Sequence, residues 1–337
     1  MTKKPIATVP DQAEVQSVIL ANENARLKAA LKAREKDIEA AQARLEFVQS
    51  VKGQQQDRIY EKIGATGGAT AILVFSDWHA GERVDPASVN GRNEYSPEIC
   101  QQRAKSAAQH AGLMLDWVRK LVTVEHVVVG LLGDFIGGYI HDELRETNYL
   151  APTEETLLVQ DEIYSILKHL KRECRAKAIT CVTSYGNHGR TTHKKQFKGA
   201  HANSYEWLMY RTMESHFRIP GVSWKVENGY HNWLEINGVP IRFHHGDNVQ
   251  YHGGSGGPTI PINKAIAAWD RERTAGLDVF GHFHQFMPMR KFCCNGSLIG
   301  WSETSVAFKC DYEGPSQSMV VIADDGKVIL KERVFCE

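Results

Sequence analysis

The chain has 337 residues, with 40 Lys+Arg against 40 Asp+Glu and 42% hydrophobic residues, which excludes disordered, low-complexity and collagen-like classes and leaves room for one large domain or two ordinary ones. Zero formal charge excludes a protein that coats nucleic acid by bulk electrostatics, so any polyanion must meet a local patch. No 18-residue apolar run or leader-like start occurs, and the seven cysteines contain no CxxC, so a cytoplasmic chain with reduced thiols and no membrane association is expected.

From Asp11 to Lys52 there is neither Gly nor Pro, and Ala, Glu, Lys, Arg, Leu and Gln dominate, which predicts one long helix. Leu20, Asn24, Leu27, Leu31, Arg34, Ile38, Ala41, Leu45 and Val48 follow alternating steps of four and three, the seam of a left-handed coiled coil. So narrow an apolar stripe needs another surface. The same helix of a second or third chain would supply it, giving a homo-oligomer; the competing expectation is a helix lying along its own catalytic part. Gly53 with the glutamines behind it, and then Gly64, Gly67 and Gly68, read as a joint, and no histidine precedes His79. The expected division is therefore 1–63, an oligomerisation helix and linker, and 64–337, the catalytic domain.

Beyond the joint, five apolar runs read as buried strands of an α/β fold, and each ends in a short polar motif. Ala69–Phe75 precedes Asp77-Trp78-His79, and His126–Leu132 precedes Gly133-Asp134. Ala178–Val182 runs to Gly186-Asn187-His188, Pro240–Phe243 to His244-His245-Gly246-Asp247, and Leu277–Phe280 to Gly281-His282-Phe283-His284. Open α/β sheets place their sites at such strand ends. Asp77, His79, Asp134, Asn187, His245, His282 and His284 are oxygen and imidazole donors without a thiolate, suited to divalent Mn, Fe, Zn or Ni. Seven donors are too many for one ion and about right for two sharing a carboxylate, which implies two-metal hydrolysis.

The order D-x-H, G-D, G-N-H, H-G, G-H-x-H over about residues 70–310 resembles the calcineurin-like metallophosphoesterase superfamily. The resemblance implies a four-layer α/β/β/α sandwich and two divalent cations, manganese first, with iron, zinc, nickel or magnesium as the other candidates. It also implies that Asp77, His79 and His284 hold one metal and Asn187, His245 and His282 the other. Asp134 would bridge them as a catalytic residue, and His188 would contact the scissile phosphate and protonate the leaving oxygen. Two departures bear on how His188 is oriented: Gly189 stands where the family has an acidic residue, and Gly137-Gly138 where it commonly has a downstream Asp. His244 and Asp247 are the residues expected behind the ligands, Asp247 as a substitute carboxylate and His244 there or on the other face of its strand.

The metal residues do not choose between monoester and diester. Arg190, Lys194, Lys195 and Lys198, interleaved with Phe197, follow His188. Arg190, Lys194 and Lys195 are expected to bind a nucleic-acid backbone while Phe197, Tyr205 or Trp207 stacks on a base, unless the run is an ordinary solvated loop. The glycine-rich segment 251–258 would close over substrate or be a surface insertion, and Tyr139 to Ile166 would cap the groove. The resemblance extends to phage-encoded members of the DNA repair exonuclease type, placing the chain in a host cytoplasm in that case. The expected function is a DNA exo- or endonuclease. The alternative is a phosphatase or a small-molecule or cyclic-nucleotide phosphodiesterase.

Overall fold

A computed structural model describes residues 11–52, 67–251 and 257–337. The chain divides into two units, residues 1–62 and 63–337. In the first, α1 (Gln12–Lys52) is the expected unbroken helix of 41 residues. Its seam residues Leu20, Leu27, Leu31, Ile38, Leu45 and Val48 are between 48% and 63% exposed in the single chain. The expected joint falls mostly outside the described residues, as does most of the glycine-rich segment 251–258.

The second unit runs β1 (Gly68–Phe75), α2 (Pro97–Val118), β2 (Thr123–Leu131), α3 (Leu144–Thr147), α4 (Pro152–Arg172), β3 (Ala178–Thr183), α5 (Tyr205–His216) and β4 (Val222–Lys225). It continues with β5 (Asn232–Ile236), β6 (Val239–Phe243), α6 (Thr259–Trp269), β7 (Leu277–Phe280), β8 (Met287–Pro288), β9 (Phe292–Cys294), α7 (Glu303–Ala307), β10 (Ser316–Ala323) and β11 (Val328–Phe335). The strands form two sheets, ordered β11-β10-β1-β2-β3-β4 and β5-β6-β7-β9-β8. β1 to β4 are parallel, as are β6, β7 and β9.

All five expected strands form, and the two sheets divide them three to two. Side-chain alternation explains why their sequences are continuously apolar. Ile72 and Val74 of β1 join Val128, Val182, Ile241, Phe243, Leu277 and Val279 in a core between the sheets, whereas Ala71, Leu73 and Phe75 face a core shared with α2, α4 and α5. On the other face of the second sheet, Ile262 and Ile266 of α6 cover Phe280 and Phe292. The described residues thus make a mixed α/β fold of two sheets and seven α-helices.

The segment expected to cap the groove behaves as two parts. Val159, Ile163, Ile166, Leu167 and Leu170 of α4 are buried in the helix-side core, so this half is a supporting helix. The stretch before it comes near the polar strand ends, with the His141 ring 6.0 Å from that of His188, and the first turn of α4 reaches them only through Glu155.

Ile72 is fully buried between the sheets. Ile72→Ala is expected to lower the unfolding free energy by about 2–5 kcal/mol, read from urea denaturation; a loss well under about 1 kcal/mol would mean that the intersheet core relaxes freely into the space.

Candidate metal centre

The ends of β1 and β2 are zipped together beyond their strands. Asp77 N–H donates to Gly133 O at 3.0 Å, His79 N–H to Asp134 O at 3.1 Å and Ala80 N–H to Phe135 O at 2.9 Å. Asp77, His79, Asp134, His282 and His284 all have left-handed backbones, with φ between 51° and 71°. Non-glycine residues rarely adopt this conformation, and its strain concentrates at functional sites. The β2 and β3 loops meet through glycines. A Cβ on Gly133 would strike the backbone of Gly186, and one on Gly186 would strike the Asp134 carboxylate.

This backbone collects the expected donors. Asp77, His79 and His284 bring ligand atoms within 4.8 Å of one another, Asp134, His245 and His282 form a second such group, and Asp134 recurs with His79 and His188 in a third. His79 Nε2 and His284 Nε2 converge to 3.2 Å, and His284 Nε2 lies 3.4 Å from Asp77 Oδ1. His245 Nε2 stands 2.9 Å from Asp134 Oδ2 without the alignment of a hydrogen bond.

These residues fit a pair of cations. Asn187 Oδ1 is buried without a hydrogen-bond partner, as an acceptor held for a cation would be. The imidazoles are oriented in the same sense. His245 Nδ1 is 2.7 Å from Leu132 O and His79 Nδ1 is 2.7 Å from Glu82 Oε1, so each Nδ1–H donates outward and each Nε2 lone pair faces the centre. His188 N–H donates to Asp134 Oδ1 at 2.7 Å, and His188 Nδ1 to Gly137 O at 2.8 Å, leaving its Nε2 free.

Protons compete for the same lone pairs. Burial opposes charge on His79, but Glu82 foremost, with Asp134 and Asp77, lifts its pKa to about 9. Burial likewise opposes charge on His245, where Asp134 raises the pKa to about 10. Burial takes His188 and His282 down to about 4. Asp134 is buried, which would raise its pKa, yet His245, His188 and His79 hold it well below the usual carboxylate range.

Three carboxylates that hold the site are missing from the sequence reading. Glu206 of α5 accepts from Phe135 N–H and Gly186 N–H, both at 2.6 Å, and so ties the β2 loop to the β3 loop. Its side chain fills the space a Cβ on Gly189 would need. Glu155 of α4 accepts from Gly137 N–H at 2.5 Å and Gly138 N–H at 3.3 Å. Burial raises both Glu155 and Glu206 to about 7. Glu82, whose side chain fills the space beside Gly137, stands 3.8 Å from His188 Nδ1. Carboxylates from elsewhere in the chain thus fill the space beside Gly189 and Gly137. A further polar set fixes Asp77: Ser76 Oγ donates to its Oδ2, Asn295 holds Ser76, and Gln317 accepts from Ser76 N–H and Trp78 Nε1–H.

The outlying expected residues separate. His244, just beyond β6, is stacked on Phe280 at 4.7 Å between ring centres and lies 3.5 Å from Asp278, outside the metal groups. Asp247 pairs with Lys195 at 2.5 Å and also faces His245 and His282, which against burial and together with Lys195 hold its pKa below the usual carboxylate value, while the carboxylate beside His188 is that of Glu82. Arg190 donates to the carbonyls of Asn187, Thr192 and His193, and Lys194 is exposed.

No protein-family model and no curated protein matches the chain. Solved structures resemble it loosely. A Vps29 mutant from Entamoeba histolytica is 17% identical with a TM-score of 0.30, covering 79% of this chain and 98% of its own. A Streptococcus pneumoniae protein described as a predicted phosphoesterase is 13% identical with a TM-score of 0.28, covering 80% and 98%. A hypothetical protein from Pyrococcus horikoshii is 12% identical with a TM-score of 0.37, covering 79% and 88%. Likeness of this degree transfers neither site nor activity.

Because neighbouring carboxylates, Glu82 for His79 and Asp134 for His245, raise both imidazoles against burial to about 9 and about 10, a cation binding near neutral pH must displace their protons. Manganese affinity is expected to strengthen as pH rises toward those values and to weaken as it falls, with about two protons released per chain at neutral pH. Calorimetry in buffers of different ionisation enthalpy counts them; binding without proton release would contradict this donor set.

Proposed function

We propose that the chain is a two-metal phosphoester hydrolase that cleaves phosphodiester bonds in nucleic acid, DNA in the first place, with manganese as its resident ion. The observation that carries this reading is the buried carboxylate of Asp134, which groups with His79 and His188 on one side and with His245 and His282 on the other, while His79 also belongs to the group of Asp77 and His284. Asp77, His79 and His284 would hold one cation, Asn187, His245 and His282 the other, and Asp134 both. Such a pair supplies a water nucleophile at neutral pH and neutralises charge growing on the phosphoryl oxygens. The chain's own residues set the geometry: Leu132 O and Glu82 fix the His245 and His79 rings, and Glu206 holds Asp134 and Asn187 on adjoining loops. His188, held neutral by burial, keeps Nε2 as an acceptor, and would have to take a proton from solvent before it could protonate a leaving oxygen.

Nucleic acid as substrate draws support from Lys194, Phe197 and Lys198, exposed on the loop that follows His188. One observation favours the alternative, a phosphatase or a small-molecule or cyclic-nucleotide phosphodiesterase: Arg190 and Lys195 are engaged within the protein and leave fewer cations for a backbone. Hydrolysis of bis-p-nitrophenyl phosphate against the monoester, with manganese and then EDTA, followed by labelled linear and circular DNA, separates the two. In the nuclease reading the sandwich is four-layered and the enzyme works in a cytoplasm, a host's if the chain is phage-encoded. No helix of the described residues is long and apolar enough to cross a membrane.

His188→Ala is expected to keep both metals and to lose roughly 10²–10⁴-fold on alkoxide leaving groups, less on activated p-nitrophenyl esters. Equal losses on both would assign His188 to phosphate positioning alone.

The uncovered seam of α1 supports self-assembly through this helix. A chain beginning near Gly64 is then expected to run as a monomer in light scattering and still to hydrolyse small esters. Full-length protein that is already monomeric at micromolar concentration would sink the coiled-coil reading.

A further inference from the structure

Between the loop after His188 and the turn after His245 lies a narrow cleft of about 60 Å³, lined by Asn187, Arg190, Lys195, Phe197, Asp247 and Asn248 among others. From sequence its cations look like phosphate contacts, but the structure has them occupied. Lys195 Nζ is 2.5 Å from Asp247 Oδ2 and 2.8 Å from Asp247 O. Arg190 donates to Asn187 O at 2.9 Å, Thr192 O at 3.1 Å and His193 O at 3.3 Å. What remains is of the other polarity. Asp247 Oδ1 and Asn248 Oδ1 are buried without an aligned hydrogen bond, with the Tyr230 hydroxyl beside the Asp247 carboxylate, and the Asp247 side chain is only 9% exposed.

A buried acceptor left unpaired is unfavourable, and both groups here can only be satisfied by donors. A phosphate near neutral pH offers almost only acceptors, and it would meet the carboxylate of Asp247. We infer that this cleft is a nucleoside subsite, taking the hydrogen-bond-donating edge of a nucleobase or the hydroxyls of its sugar next to the scissile phosphate. The inference rests on the phosphodiester reading for its biological sense, though not for its geometry. Asn187 belongs to both places: its carbonyl oxygen is the orphaned acceptor at the metal centre, and the residue lines the cleft. A nucleoside seated there stands beside the reacting phosphorus. Phe197 at the cleft wall, 78% exposed, offers a ring face to a base whose edge has entered.

Free nucleosides test this without hydrolysis. Ribo- and deoxyribonucleosides of all bases, and inorganic phosphate as control, are titrated into the full-length chain by calorimetry and saturation-transfer NMR, with manganese and again with EDTA. At least one nucleoside should bind in the millimolar range or tighter in both conditions, and Asn248→Ala, checked for an unchanged melting temperature, should weaken it about tenfold or more. Asp247→Asn should do the same. If deoxyribonucleosides bind as well as ribonucleosides and base identity matters, the base edge is the donor; if only ribonucleosides bind, it is the sugar. No nucleoside bound at millimolar concentration, phosphate competing for the cleft, or variants that bind like the wild type would overturn the inference. Nucleoside binding with no ester hydrolysed would leave the subsite standing and remove the hydrolase reading. Ester hydrolysis without nucleoside binding would do the reverse.

Discussion

The carboxylate of Asp134 is the constraint around which the second unit's polar centre is built. It is almost wholly buried and faces His245, His188 and His79, and its acidity is kept strong by them. A buried carboxylate of this kind is tolerated only with compensating charge or hydrogen bonds on its oxygens. His188 N–H supplies one such bond, and the left-handed turn at Asp134 aims the side chain inward. The glycines on either side of the contact, Gly133 and Gly186, have no Cβ because the loops that carry the carboxylate and its partners touch there.

Around that group, helices supply what the loops lack. Glu155 and Glu206 are buried on α4 and α5, where they accept backbone N–H groups from the β2 and β3 loops. Each cancels an unsatisfied buried donor, a defect of about 1–3 kcal/mol per group. They fix where the ligand-bearing loops lie, and so how far apart the donor atoms stand. Glu82 acts from the other side, orienting His79 and standing near His188. The candidate metal centre therefore depends on carboxylates from three separate parts of the chain, none of which is itself a proposed ligand.

The strands and the donor residues were legible in the sequence because strand ends with Asp, Asn or His beside glycine make a local pattern. The supporting carboxylates were not, since Glu206 lies 20 residues beyond Gly186 in sequence and joins it only through the fold. A signal for them existed. Glu206 shares its helix stripe with Met209, Tyr210 and Met213, and Glu155 shares one with Val159 and Ile163; all are buried, and an acidic residue within an apolar stripe must be answered by a partner. Asp247 was expected to serve His188 because of its closeness in sequence to His245, but the turn sends it to Lys195. Likewise, a run of four basic residues reads as free charge until the fold shows which carbonyls and carboxylates hold Arg190 and Lys195.

The most direct test is the number of metal ions Asp134 organises. Titration of metal-free, full-length protein with manganese, followed by calorimetry and elemental analysis, is expected to saturate at two ions per chain. Asp134→Asn, still folded by circular dichroism, should lose high-affinity binding of both. Saturation of the wild type at one ion, or two ions held by Asp134→Asn as tightly as by the wild type, would contradict a centre built on this shared carboxylate.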